Sequence, residues 1–180
     1  MIKKSLFIIL FLFSYTFAAA DKLEYEKATY TGETFYGDPH GRGTMNYNDG
    51  ETYSGQWKFG LEHGRGKVEY KNGDVYAGQW KEGRQNGKGV YTYAGGAIYT
   101  GMFLDGLFEG EGVLEYADGR KFVGTFKDDY KYEGKMTLDD GTIVEGIYPK
   151  EGKTDGKYNI TYTDGSTDVW TFENGEFVEW

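Results

Sequence analysis

Along most of the chain apolar and polar residues alternate with a period of two, where an amphipathic helix would need three to four. In residues 53–58, Tyr53, Gly55 and Trp57 fall on one side, and Ser54, Gln56 and Lys58 on the other. In residues 66–71, Gly66, Val68 and Tyr70 share a side opposite Lys67, Glu69 and Lys71. Both segments read as β-strands with one aromatic and one polar face. Glycine at this density also opposes a helix by roughly 1 kcal/mol per residue. A loop around Gly60 to Gly64 would join the two strands into a hairpin. Asn72-Gly73 then predicts a tight turn into the next strand, as do Asp49-Gly50, Asp118-Gly119, Asp140-Gly141 and Asp164-Gly165. Such pairs favour turns because they accept positive φ.

The pattern recurs. Four units of 23 residues follow one another without gaps, at 30–52, 53–75, 76–98 and 99–121. In the first, Thr34 stands at the place of Trp57. Residues 122–143 form a fifth unit one residue short, and 144–167 a sixth one residue long. Residues 21–29 read as a leading cap strand or loop, and 168–180 as a partial terminal repeat or cap, as a stacked array requires. Hairpin after hairpin predicts an all-β fold: an elongated, single-layer, twisted antiparallel sheet of tandem repeats. With about a dozen strands about 4.8 Å apart it would run on the order of 60 Å, and strand chirality imposes the twist. The gap left by Gly55 is expected to receive a ring from a neighbouring strand, Tyr70 or Tyr76. Each buried ring contributes roughly 1.5–3 kcal/mol, and a well-placed ring pair about 0.5–1.5 more.

Composition narrows the class. The chain has 29 glycines but 2 prolines, and 18% of it is aromatic. That excludes disorder, which is poor in aromatics, and collagen, which needs abundant proline. Residues 1–20 stand apart: Lys3 and Lys4, an apolar run from Leu6 to Phe13, then Ala18-Ala19-Ala20. They read as a secretory signal peptide cleaved after Ala20, with a periplasmic or secreted destination. The apolar run is short for a bilayer span. There is no cysteine, so neither a disulfide nor a lipid-modified thiol enters the account.

The formal net charge is −9, and without Lys3 and Lys4 it becomes −11, from 18 bases and 29 acids. The balance argues against a nucleic-acid partner. The charge is uneven, with seven bases and four acids in residues 58–104 against eight and eighteen in 105–180. Lys58, Arg65, Lys67, Lys71, Arg84 and Lys88 are therefore candidates for contact with an anionic surface. Tyr53, Trp57, Tyr76, Trp80, Tyr99 and Phe103 should form rows along the array. If exposed, these rows could bind a glycan, a peptide or a membrane; if packed, they build the sheet.

No catalytic constellation emerges. His40 and His63 precede the same Gly-Arg-Gly turn, and Asn86 takes that slot in the third unit, which fits a turn residue better than a metal ligand. The pairs Gly64/Gly66, Gly87/Gly89 and Gly110/Gly112 lack the following helix that a phosphate cradle needs. Asp128-Asp129 and Asp139-Asp140 lie in turns without the cleft of a glycosidase. No metal, cofactor or catalytic residue is expected.

An aromatic, Gly and Trp or Phe at alternate positions, then Gly-x-Gly, Tyr and a turn glycine, at a 23-residue period, closely resembles the MORN (membrane occupation and recognition nexus) repeat. The resemblance covers residues 30–167 and is strongest over 53–121. It implies an elongated β-hairpin array serving as a scaffold or binding module for proteins and, in some members, phospholipids. Where such arrays occur in enzymes, the catalytic domain lies elsewhere in the chain. The expectation is an exported, non-enzymatic interaction or scaffold module with a protein partner. Carbohydrate or cell-wall binding through the aromatic face is the first alternative, and phospholipid binding through the basic 58–88 segment the second.

Overall fold

A computed structural model describes residues 20–148, 155–173 and 176–178. The expected signal peptide, except Ala20, lies outside these residues, as do parts of the sixth unit and of the terminal cap. Among the described residues, fifteen strands form one open sheet in which each pairs antiparallel with its neighbours in the chain. The cap strand β1 is Asp21–Tyr25. The first unit supplies β2 (Ala28–Phe35) and β3 (Asp38–Tyr47), and the second β4 (Thr52–Lys58) and β5 (Leu61–Glu69). The third has β6 (Val75–Lys81) and β7 (Arg84–Thr92), and the fourth β8 (Ile98–Leu104) and β9 (Leu107–Glu115). The fifth has β10 (Lys121–Lys127) and β11 (Tyr130–Thr137). Then come β12 (Ile143–Ile147), β13 (Gly156–Thr161), β14 (Thr167–Glu173) and β15 (Glu176–Val178). Fifteen strands, rather than a dozen, give a sheet about 70 Å long along its hydrogen-bonding direction.

The hairpin within each of the first four units is tighter than the sequence suggests. Lys58 pairs with Leu61, so the turn is only Phe59-Gly60, with φ of 50° and 79°. Tyr36-Gly37, Glu82-Gly83 and Asp105-Gly106 repeat it with both φ positive, as a type I′ turn requires. The predicted loop through Gly64 is instead strand plus bulge. Gly55 faces Gly66 but Gln56 faces His63, so Gly64 and Arg65 are extra residues on β5. Gly64 takes φ of 64°, where a side chain would be strained.

The turns between units are longer, and their Asx-Gly pairs work differently from expectation. Only the glycine has positive φ, 88° at Gly73. The Asn72 side chain instead accepts the Asp74 N–H through Oδ1 at 3.0 Å. Asp49, Asp118, Asp140 and Asp164 accept the equivalent N–H in their turns. The third unit has Gly95 at this place. Its turn is held from next door: buried Asp74 accepts the Ala94 N–H at 2.8 Å and the Tyr91 hydroxyl at 2.8 Å. These two donors, the Ala94 amide first, hold the Asp74 carboxyl below the usual aspartate value.

The core is a ladder of rings on one face. Tyr30 meets Trp57, Trp57 meets Tyr53, Tyr53 meets Trp80 and Trp80 meets Tyr76, edge to face at 4.9–5.4 Å between centroids. The chain of rings continues through Phe103, Tyr99, Phe126 and Phe122 to Tyr148. The ring over Gly55 and Gly66 is that of Tyr53 itself, not of Tyr70 or Tyr76. Its strand-mate position two residues before Gly55 lets the ring fold down over the paired glycines. A Cβ on Gly66 would lie 2.5 Å from the Tyr53 Cζ. Tyr47 and Tyr70 cover the ladder from the side, bonding respectively to Glu62 and Gln85 of the next unit. A single layer thereby buries its rings without a second sheet.

Candidate functional site

The opposite face of the sheet carries what varies. Each bulge places one residue after its glycine on this face: Arg42 on β3, Arg65 on β5, Lys88 on β7 and Glu111 on β9. The backbone beneath is held by long side chains of the neighbouring strand. Gln56 Oε1 accepts the Arg65 N–H at 2.7 Å, Gln79 Oε1 accepts that of Lys88 at 3.0 Å, and Glu33 accepts that of Arg42 at 3.2 Å. Beside the bulge of each of the first four units, the core tyrosine reaches a backbone carbonyl. Tyr30, Tyr53, Tyr76 and Tyr99 donate to the carbonyls of Glu33, Gln56, Gln79 and Met102 at 2.7–3.0 Å. Burial pushes the Tyr30 and Tyr99 phenols up to about 12, and the Tyr53 and Tyr76 phenols upward in the same way.

Beside the bulges runs a groove of about 850 Å³ across β4 to β9. Ser54, Ala77, Thr100 and Val90 line it with short side chains, and Arg65, Lys67, Lys88 and Glu111 line it with charge. A hollow of about 600 Å³, sharing Ser54 and Arg65, continues it to Arg42 and Thr44. Arg42, Arg65, Lys67 and Lys88 are exposed. Lys67 pairs with Glu69 at 2.6 Å. Among the described residues Arg42, Arg65 and Lys88 take part in no ion pair.

The twelve residues singled out by sequence therefore separate. Tyr53, Trp57, Tyr76, Trp80, Tyr99 and Phe103 are packed in the ladder, each 9% exposed or less. The indoles of Trp57 and Trp80 donate to the Gly43 and Gly66 carbonyls at 3.1 and 3.2 Å. Of the six bases, only Arg65, Lys67 and Lys88 meet in the groove. Lys58 and Arg84 flank the short turns at one side of the sheet, and Lys71 lies in a turn at the other. Sequence reasoning missed Arg42, because the basic window began at residue 58. Comparing Arg42, Arg65 and Lys88 slot by slot would have found it. It also missed exposed Tyr36 and Phe59 at the short turns. His40 serves such a turn, its Nδ1 accepting the Phe59 N–H at 3.4 Å. No group of three metal-ligating side chains occurs among the described residues.

This architecture defines a tandem β-hairpin repeat protein with a packed aromatic face and a solvent-facing groove. The MORN repeat model matches residues 30–52, 53–75, 76–98 and 99–119, half of the chain, and the chain belongs to the MORN repeat family. No curated protein sequence matches it. Among solved structures, one similar chain is the TCP domain of Drosophila melanogaster SAS-4 (dCPAP), in complex with a proline-rich motif of Ana2 (dSTIL). It is 13% identical, with 99% of this chain and 95% of that one covered and a TM-score of 0.43. Another is the wild-type TCP10 domain of Danio rerio CPAP, 14% identical, with 84% and 71% covered and a TM-score of 0.47.

Proposed function

We propose that this chain is an exported, non-enzymatic MORN-repeat protein that acts as a protein-interaction or scaffold module through the grooved face. The observation that supports this reading is the row of exposed cations Arg42, Arg65 and Lys88, without ion-pair partners among the described residues, beside a floor of short side chains. Glycan stacking needs free ring faces, and the rings of Trp57 and Trp80 are engaged edge to face by tyrosines. Contact with anionic phospholipid remains the competing reading. Its basic segment divides, because Lys58 and Arg84 lie at one side of the sheet and Lys71 at the other.

The test is affinity capture from envelope and secreted fractions, with the wild-type protein and an Arg65→Glu/Lys88→Glu variant as parallel baits. A partner enriched by the wild type and lost with the variant supports the module. Partners equal on both baits, or salt-sensitive retention on anionic vesicles alone, overturn it. Export has its own test: deletion of residues 1–20 should leave the protein in the cytoplasm, and its continued appearance outside would sink that part.

A further inference from the structure

The groove's cations have a spacing that an extended chain can match. Arg42, Arg65 and Lys88 occupy the same position on β3, β5 and β7, opposite Gln56 on β4, Gln79 on β6 and Met102 on β8. Positions two strands apart in a sheet are about 9.6 Å apart. A polyproline II segment advances about 9.3 Å in three residues, one full turn, and so returns every third side chain to the same side. A peptide laid across the strands would therefore present every third side chain to the same position of successive units.

We infer that the groove takes an extended acidic peptide, running across the strands, with a carboxylate at every third residue facing Arg42, Arg65 and Lys88. This rests on the protein-interaction reading above and names its partner's chemistry. Charge selects the acid, because three exposed cations converge on one row in a chain of net charge −9. Arginine suits the task, since its fork donates two parallel hydrogen bonds to a carboxylate. Shape selects an extended backbone. Ser54, Ala77 and Thr100 keep the floor low over successive hairpins, and Val90 and Met102 offer apolar contact between the charges. Val90 and Met102 are each 37% exposed. A bilayer, by contrast, presents a plane and would leave this floor uncovered.

Glu111 ends the row and gives the peptide a register. It lines the same groove at the place where a fourth cation would stand. The peptide's fourth contact residue is therefore neutral or basic. Reversing the charge at Glu111 should lengthen the acidic motif the groove accepts by one triplet.

The experiment titrates the purified protein against labelled ten-residue peptides built on alanine and proline. One carries glutamate at positions 1, 4 and 7; a control carries the same three glutamates side by side. The spaced peptide should bind at least about fivefold more tightly, with an affinity that falls as salt rises. Arg65→Glu should abolish binding while circular dichroism stays unchanged, since the exposed side chain leaves the Arg65 N–H bond to Gln56 in place. Glu111→Lys should strengthen binding of a peptide with a fourth glutamate at position 10, and leave the three-glutamate peptide unaffected. Equal binding of spaced and clustered peptides overturns the inference, as does binding indifferent to Arg65→Glu. If no peptide binds, the inference falls. The module reading survives that result only if a captured protein partner still depends on Arg65 and Lys88. Binding confined to anionic vesicles overturns both.

Discussion

The second and fifth units solve the same packing problem with one residue's difference. In the second, Gly64 and Arg65 bulge out of β5; Tyr53 donates to the Gln56 carbonyl beside the bulge, and Gln56 Oε1 accepts the Arg65 N–H. The fifth unit lacks the bulge glycine. Thr125 pairs with Glu133, a single residue is extra, and Phe122 stands at the place of Tyr53. Phe122 keeps its rung of the ladder, fully buried and edge to face with Phe126 at 5.3 Å. The ring therefore belongs to the core, whereas the hydroxyl belongs to the bulge. The fourth unit separates the parts further. It retains Gly110 and the Tyr99 hydroxyl bond at 2.9 Å, although Met102 replaces the glutamine.

The largest break in this comparison comes from removing what both units share, the glycine pair under the ring. Gly66→Ala would place its Cβ against the Tyr53 ring, 2.6 Å from Cε2. The ring must leave, losing its burial and its contacts with Trp57 and Trp80. The expected cost is about 3–5 kcal/mol, read as a fall in the urea midpoint or as failure to fold. Gly95→Ala is the control, with nothing within 4 Å of the added atom. It should change stability by less than about 0.5 kcal/mol. Similar losses in both would mean that glycine serves the turns and not the ring.

Much of this shared frame was legible in the residues. The alternation of Tyr53, Gly55 and Trp57 gives the strand and its buried face, and the 23-residue period gives the stack. What stayed hidden depends on pairing between strands. The bulge at Gly64 is visible only once Gly55 is opposed to Gly66 and Gln56 to His63, and no single-strand pattern carries that offset. The role of Gln56 was hidden for the same reason; it read as a free polar-face residue and is a ligand of the bulge backbone. The Phe59-Gly60 turn escaped because phenylalanine is a poor residue at positive φ, so its presence argued against the turn it forms. The groove was half legible. The excess of bases over 58–104 pointed to Arg65 and Lys88, but a linear window could not show that Arg42 extends their row and Glu111 closes it.

Exchanging the ring types between the two units sharpens the comparison. Tyr53→Phe leaves the Gln56 carbonyl without its donor and should cost about 1–3 kcal/mol. The reverse change, Phe122→Tyr, adds a hydroxyl to a fully buried ring in the unit that lacks the bulge glycine, and should destabilise rather than stabilise. Deleting Gly64 in the Tyr53→Phe background gives the second unit the spacing of the fifth. It should recover part of the loss, as measured by chemical denaturation of all three variants. Stabilisation by Phe122→Tyr, or no recovery on deletion, would separate the hydroxyl from the bulge.

The smallest expected effect lies at the turn tip. Phe59 sits at φ of 50° and is 60% exposed, whereas the fourth unit has Asp105 at the same place and the same φ. A left-handed backbone costs a bulky residue about 1–3 kcal/mol, and asparagine or aspartate much less because the short polar side chain tolerates it. Phe59→Asn should therefore raise stability by about 0.5–1 kcal/mol, and Asp105→Asn should leave it within about 0.5 kcal/mol. The difference between the two urea midpoints is the measurement. A gain at Phe59 alone would mean that the second unit holds a strained, exposed ring at a cost to its own stability, as surfaces kept for contact do. No gain would mean that the ring's contacts with His40 at 5.2 Å and Phe35 at 6.0 Å offset the strain within the fold.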